Sequence, residues 1–170
     1  MLDSHSASVP LISPPASVET KMAIVPVAQG SEFIVNATTI DFQVDPTICM
    51  LADARFVVAW ASHYTDLPGS FESYDIIAQI FSPNGQRIGG EFVVNSTTSG
   101  WQSLPTIAAL PTGGFVVAWQ DPSAGNANIS AQVFDSQGNR LGAEISVNTT
   151  TQAFQLDPTI CVLTGGNFVV

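Results

Sequence analysis

Two segments of this 170-residue chain carry the oxygen-bearing side chains that hard cations bind. Asp121, Asn126 and Asn128 lie close together in one of them. Calcium prefers several oxygen ligands drawn from carboxylates, amides and backbone carbonyls. These three residues are therefore the predicted metal ligands, and calcium is the one cofactor that the sequence suggests. The alternating acidic spacing of a strong calcium loop is absent, so solvated loops are the simpler interpretation.

Acidic residues of the same segments are also candidates for acid–base chemistry. Hydrolysis of a polysaccharide requires two carboxylates at a defined separation, or a histidine with an orienting partner. His63 is the candidate histidine, although an exposed loop position is its simpler interpretation. No G-x-S-x-G nucleophile motif occurs in the sequence. We therefore predict a protein that is not an enzyme. A polysaccharide hydrolase or lyase is kept as the alternative, with these carboxylates: Asp66, Glu72, Asp75 and Asp121.

Four aromatic residues fall outside the apolar pattern of the rest of the chain: Tyr64, Phe71, Tyr74 and Trp101. Exposed aromatic side chains can stack on the apolar faces of sugar rings. These four residues are therefore the predicted ligand-binding set, with a glycan as the ligand.

An internal repeat positions all of these residues. The segment EFIVNATT at Glu32 recurs as EFVVNSTT at Glu91 and as EISVNTTT at Glu144, with offsets of 59 and 53 residues. The motifs PTI and FVV keep both offsets, and AQIFSPNGQRIG returns 53 residues later as AQVFDSQGNRLG. Four motifs in one register indicate true repetition. The longer first unit has its insertion between Trp60 and Ala78.

Each repeat contains four short apolar segments separated by turn residues. In the second repeat these are SLPTIAAL, GFVVAWQ, ISAQVFD and RLGAEISVN. The segment FVVAW is apolar at every position, which is typical of a strand covered on both faces. Apolar residues at helical spacing are absent. We predict an all-β fold of four-stranded, β-propeller-like blades, with tandem small β-sandwiches as the alternative.

The repeats also predict the domain organisation. We expect an extended N-terminal arm over residues 1–30 and a β-repeat domain over 31–170, with units at about 32–90, 91–143 and a partial unit at 144–170. This amounts to about three blades' worth of strands, fewer than the four to eight blades of a typical ring. The half units at the two ends complement each other. They predict either a longer chain or self-association of copies head to tail.

The repeated motifs resemble a known group of sequences. The combination of E-[FI]-x-V-N-x-T-T, P-T-I, G-G-F-V-V-A-W and A-Q-[IV]-F-x-x-x-G-x-R-[IL]-G resembles the tandem repeats of large bacterial extracellular proteins, which are adhesin-like and type I secreted. The resemblance covers about residues 31–170. It implies propeller-like blades and a secreted or cell-surface location. It also implies a further alternative function, that of a calcium-dependent glycan-binding adhesin.

The charge balance excludes several partner classes. Four Lys and Arg residues against 14 Asp and Glu give a net charge of −10, which nucleic acid and anionic membranes would repel. The longest apolar run, residues 56–61, is far shorter than the roughly 20 residues that cross a bilayer. Cys49 and Cys161 lie in matching apolar contexts and are predicted to be buried. We expect a structural or interaction module whose partner is a protein, a second copy or a glycan.

Overall fold

The computed structural model describes residues 31–64, 73–122 and 125–170. Ten β-strands and no helix occur among these residues. Residues Phe33–Val170 form one compact unit, and the predicted arm of residues 1–30 lies outside the described part of the chain. The strands are β1 (Gln43–Met50), β2 (Phe56–Tyr64), β3 (Ser73–Phe81), β4 (Arg87–Val93), β5 (Ser103–Ala109), β6 (Phe115–Asp121), β7 (Asn128–Phe134), β8 (Arg140–Ser146), β9 (Cys161–Val162) and β10 (Phe168–Val169).

The strands form two equivalent sheets and one small hairpin. Sheet 1 has the order β1-β2-β3-β4, sheet 2 has the order β5-β6-β7-β8, and β9 pairs with β10. Every pairing between two strands is antiparallel and joins neighbours in sequence, and one isolated parallel bridge connects Tyr74 with Trp101. The prediction of an all-β fold is confirmed, with four strands in each of the first two repeats, and in the second repeat the predicted strand limits agree within two residues. The described residues form no closed propeller.

The second strand of each sheet is buried on both faces, as its sequence predicts. In β2, Val57 and Ala59 belong to a core shared with residues of sheet 2, whereas Val58 and Trp60 belong to a cluster on the opposite face. In β6, Val116 packs in a further cluster that includes apolar residues of β9 and β10. The repeats therefore stack in sequence order and share their cores, so they are not independent domains.

The first strands of the three repeats approach each other at their proline segments. Asp45, Leu104 and Asp157 each precede a proline and have φ angles of 53°, 51° and 54°, which L residues rarely adopt. In β1 and β5 this residue lies within a β-bulge. Residues of all three segments line one open cavity of about 350 Å³. The strained backbone is thus a repeated feature of the segments that line this cavity.

Candidate functional site

A row of aromatic side chains runs along one end of sheet 1 to the start of sheet 2. The ring centroids are 6.2 Å apart for Phe42 and His63, 4.8 Å for His63 and Tyr74, and 6.1 Å for Tyr74 and Trp101. Two backbone hydrogen bonds stabilise the contact between Tyr74 and Trp101. The N–H of Tyr74 donates to the carbonyl of Gly100, and the N–H of Gln102 donates to the carbonyl of Tyr74. The structure therefore brings together two predicted ligand-binding residues, Tyr74 and Trp101.

Phe42 and Trp101, the exposed residues of this row, are at positions equivalent to each other and to Phe154 of the third repeat. Phe42, Trp101 and Phe154 are 66%, 54% and 70% exposed, and the offsets between them are the 59 and 53 residues of the repeat. Sequence reasoning missed Phe42 and Phe154 and treated Trp101 as lying outside the repeated pattern. The signal was present, since each of the three aromatic residues is followed by glutamine.

Trp101 and Phe154 both line one open cavity of about 370 Å³. Its other lining residues are uncharged: Gly100, Ser103, Gln120, Pro122 and Ala127. Oε1 of Gln120 is buried, and no described residue donates a hydrogen bond to it. The cavity thus combines two exposed aromatic side chains with a few uncharged polar groups, which is the usual composition of a small-molecule site.

The other two predicted ligand-binding residues are Tyr64 and Phe71. Tyr64 is the last residue of β2 and pairs with Ser73 at the start of β3. Phe71 lies outside the described residues. The insertion of the first repeat lengthens β2 and β3 to nine residues each, against seven in β6 and β7.

The predicted metal ligands contact other protein groups. Both carboxylate oxygens of Asp121 accept hydrogen bonds, at 3.3 and 3.2 Å, from a glutamine and a serine side chain. Oδ1 of Asn128 accepts from Nδ2 of Asn148 at 2.9 Å, and Nδ2 of Asn126 donates to a backbone carbonyl at 3.1 Å. No group of three or more His, Cys, Asp or Glu side chains suited to a metal ion occurs in residues 31–64, 73–122 or 125–170. Calcium binding stays a prediction.

The structure describes only some of the candidate catalytic residues. Asp66 and Glu72 lie outside the described residues. Asp75 is buried and accepts a hydrogen bond from Nδ2 of Asn95 at 2.7 Å. Burial raises the pKa of Asp75 above its usual value, and the bond from Asn95 opposes this shift in part. His63 is not an exposed loop residue as predicted, because it lies in β2 and is buried between aromatic rings.

The carboxylates that share a cavity are Asp45 and Asp157, at the proline segments of different repeats. Both side chains are solvent-exposed. A general acid and its partner base need unequal surroundings, which make one protonated and the other ionised. Two exposed carboxylates at equivalent turn positions do not provide that asymmetry.

The two cysteines differ although their sequence contexts match. Both are free thiols. Cys49 packs against the core between the sheets, and burial raises the pKa of its thiol to about 11. Cys161, which was predicted to be buried, is exposed. No described residue covers the face of the β9–β10 hairpin on which Cys161 lies, and this accounts for the difference.

Comparison with protein-family models, with curated proteins and with solved structures found no match to this chain. Among the described residues, no helix is long and apolar enough to cross a membrane.

Proposed function

We propose that this chain is a non-enzymatic structural and interaction module of a secreted or cell-surface bacterial protein. Its propeller-type repeats associate head to tail with those of a second copy. The sequence resemblance supports the location. One observation carries the association, namely an apolar face of the β9–β10 hairpin that is bare here and covered in the two preceding repeats.

Val169 and Leu163 define this face of the hairpin. Val169 is 54% exposed, whereas its equivalents Val57 and Val116 are fully buried between neighbouring sheets. Leu163 is 44% exposed, and its equivalent Leu51 is 2% exposed. In the first two repeats the positions equivalent to Val169 and Leu163 are buried against the next sheet or hairpin. The hairpin therefore has the surface that a further sheet would cover.

Sheet 1 offers a complementary face at the other end of the stack. Val58 and Trp60 line a largely apolar cavity of about 380 Å³, together with residues 33–36. Their equivalents in sheet 2, Val117 and Trp119, are fully buried in the core shared with sheet 1. The cavity on sheet 1 corresponds to the place that the first strands of a preceding sheet would take.

Residues 33–36 line part of the cavity on sheet 1 and make contacts there that recur in sheet 2. Arg87 donates hydrogen bonds of 2.9 to 3.1 Å to the carbonyls of residues 34–36. Arg140, its equivalent in sheet 2, donates in the same way to the carbonyls of Val93 and Asn95 at 3.1 and 2.9 Å. Residues 33–36 therefore contact sheet 1 as the end of β4 contacts sheet 2.

The aromatic contacts repeat with the same geometry. Phe33 lies 5.6 Å from Phe81 at an interplanar angle of 55°, and Phe92 lies 5.6 Å from Phe134 at 54°. A composite repeat would take its first two strands from the β9–β10 hairpin of one copy and its last segment from residues 33–36 of the next. Neither part is a complete sheet alone.

The molar mass of the protein in solution tests this proposal. We expect light scattering after size-exclusion chromatography to give a mass above that of one chain, increasing with salt because each copy carries a charge of −10. Val169→Arg is expected to give single chains. Leu141→Arg is the matched control, since Leu141 is 54% exposed and its equivalent Ile88 stays exposed beside sheet 2. A wild-type protein that is a single chain at about 100 µM, or two variants that behave alike, would contradict the proposal.

A further inference from the structure

The second repeat departs from the first at four positions beside the exposed aromatic row. We call the space between two successive exposed aromatic residues a junction. In the first repeat, the rings of His63 and Tyr74 fill the junction between Phe42 and Trp101. In the second repeat, the junction between Trp101 and Phe154 is an open cavity. The four residues of the first repeat and their equivalents in the second are Val44 and Ser103, Ala61 and Gln120, His63 and Pro122, and Tyr74 and Ala127.

These differences create the cavity of about 370 Å³. His63 and Tyr74 fill the first junction with two rings in contact, whereas Pro122 and Ala127 are too small to do so. Cavities of roughly 300–1,000 Å³ are typical of small-molecule sites. Because the rest of the repeat keeps its register, the loss of two large side chains at one place opens room for a ligand without disturbing the sheet.

The same differences also make the cavity polar on one side. Ser103 and Gln120 stand where the first repeat has aliphatic side chains. Oε1 of Gln120 is buried without a donor among the described residues, and an unsatisfied buried acceptor costs roughly 1–3 kcal/mol. Because Gln120 lines the cavity, rotation of its side-chain amide would present this oxygen to a ligand hydroxyl and remove that cost on binding.

We propose that this cavity binds one ring of a neutral glycan. The apolar face of the sugar packs on the indole of Trp101 and contacts Phe154, while its hydroxyl groups bond with the side-chain amide of Gln120 and with Oγ of Ser103. A neutral sugar fits because every lining residue is uncharged and because the net charge of −10 repels anionic polymers. The proposal extends the function from self-association to ligand binding and does not depend on head-to-tail assembly.

Trp101 provides the signal for the test. It is exposed, whereas Trp60 and Trp119 are buried, so a ligand in the cavity is expected to change the fluorescence of Trp101 alone. The probes are maltohexaose, cellohexaose, xylohexaose and a printed array of neutral glycans, with polygalacturonate as the anionic comparison. The same titrations with Val169→Arg separate ligand binding from association.

We expect at least one neutral probe to bind at or below about 5 mM and polygalacturonate not to bind. Calorimetry is expected to show binding weakened about tenfold or more by Trp101→Ala and by Gln120→Leu. Ala127→Tyr, which restores the residue of the first repeat, is expected to abolish binding. Phe42→Ala is the matched control and leaves binding unchanged.

Three results would overturn the proposal. The first is no binding of any neutral glycan, on the array or in solution. The second is an equal loss on Phe42→Ala and Trp101→Ala, which would indicate nonspecific contact with exposed rings. The third is binding of apolar peptides in the cavity with no binding of glycans.

Discussion

Replacing Asn95 by alanine tests how the end of β4 is held against β3. Asn95 is 2% exposed, and its side chain makes three hydrogen bonds. Oδ1 accepts from the N–H of Ile76 at 2.8 Å, and Nδ2 donates to Oδ1 of Asp75 at 2.7 Å and to the carbonyl of Thr97 at 2.9 Å. Alanine would leave a buried N–H and a buried carboxylate without these partners.

The expected cost is large for one side chain. A buried group left unsatisfied costs roughly 1–3 kcal/mol, and more when it is charged. Two such groups give a loss of about 3–5 kcal/mol in the free energy of unfolding, because neighbouring losses are not fully additive. For a unit of this size we expect the melting temperature to fall by about 10 °C. Chemical denaturation and calorimetry measure both quantities.

Asn148→Ala is the matched control for this prediction. Asn148 makes the equivalent bonds, to the N–H of Ile129 at 2.7 Å, to Oδ1 of Asn128 at 2.9 Å and to the carbonyl of Thr150 at 2.8 Å. It is only partly buried and its partner is neutral, so water can replace the lost bonds. We expect a loss of about 1–2 kcal/mol. A loss on Asn95→Ala below about 1 kcal/mol, or equal losses for both variants, would refute the reasoning.

Three further predictions concern the described core and turns. Asp75→Asn is expected to raise the melting temperature at pH 7. Because the pKa of Asp75 is raised in the folded state, the stability of the wild-type protein falls as the pH rises above the ordinary value of 3.8. Melting curves recorded over a pH series should show this decrease in the wild-type protein and a smaller decrease in the variant. Gly114→Ala is expected to destabilise the protein by about 3 kcal/mol, because its Cβ would lie 2.1 Å from a carbonyl oxygen, whereas Gly90→Ala, with open space around its Cβ, should change the denaturation midpoint little. Cys161 is expected to react with a maleimide at pH 7.5 well before Cys49, whose pKa is raised to about 11, and mass spectrometry that finds equal rates would contradict the assigned burial.

The structural role of Asn95 also shows where sequence reasoning stopped short. The sequence N-x-T recurs in register at Asn36, Asn95 and Asn148, and both the asparagine amide and the threonine hydroxyl can bond to the backbone of a turn. In the structure the asparagine side chain closes the turn, donating to the carbonyl two residues ahead at Asn36, Asn95 and Asn148 alike. The position was predictable from the repeat. The atom that makes the bond was not, because both side chains carry suitable groups.

The sequence alone determined the all-β class, most of the strands and the division into repeats. Turn residues and apolar segments are local signals, and four motifs in one register specify equivalent units without knowledge of their contacts. The burial of FVVAW on both faces followed from its composition. Phe42, Trp101 and Phe154 also follow the repeat offsets. An alignment of the three repeats at the glutamine after each of these residues would have identified them.

Only the tertiary structure decided which surfaces are open. Trp101, Gln120 and Phe154 come from three segments, and the cavity between them exists because small residues replace the rings of the first junction. Likewise, Cys49 and Cys161 have the same local sequence but opposite exposure. Exposure depends on which sheet lies against a face, and a local sequence pattern does not contain that information.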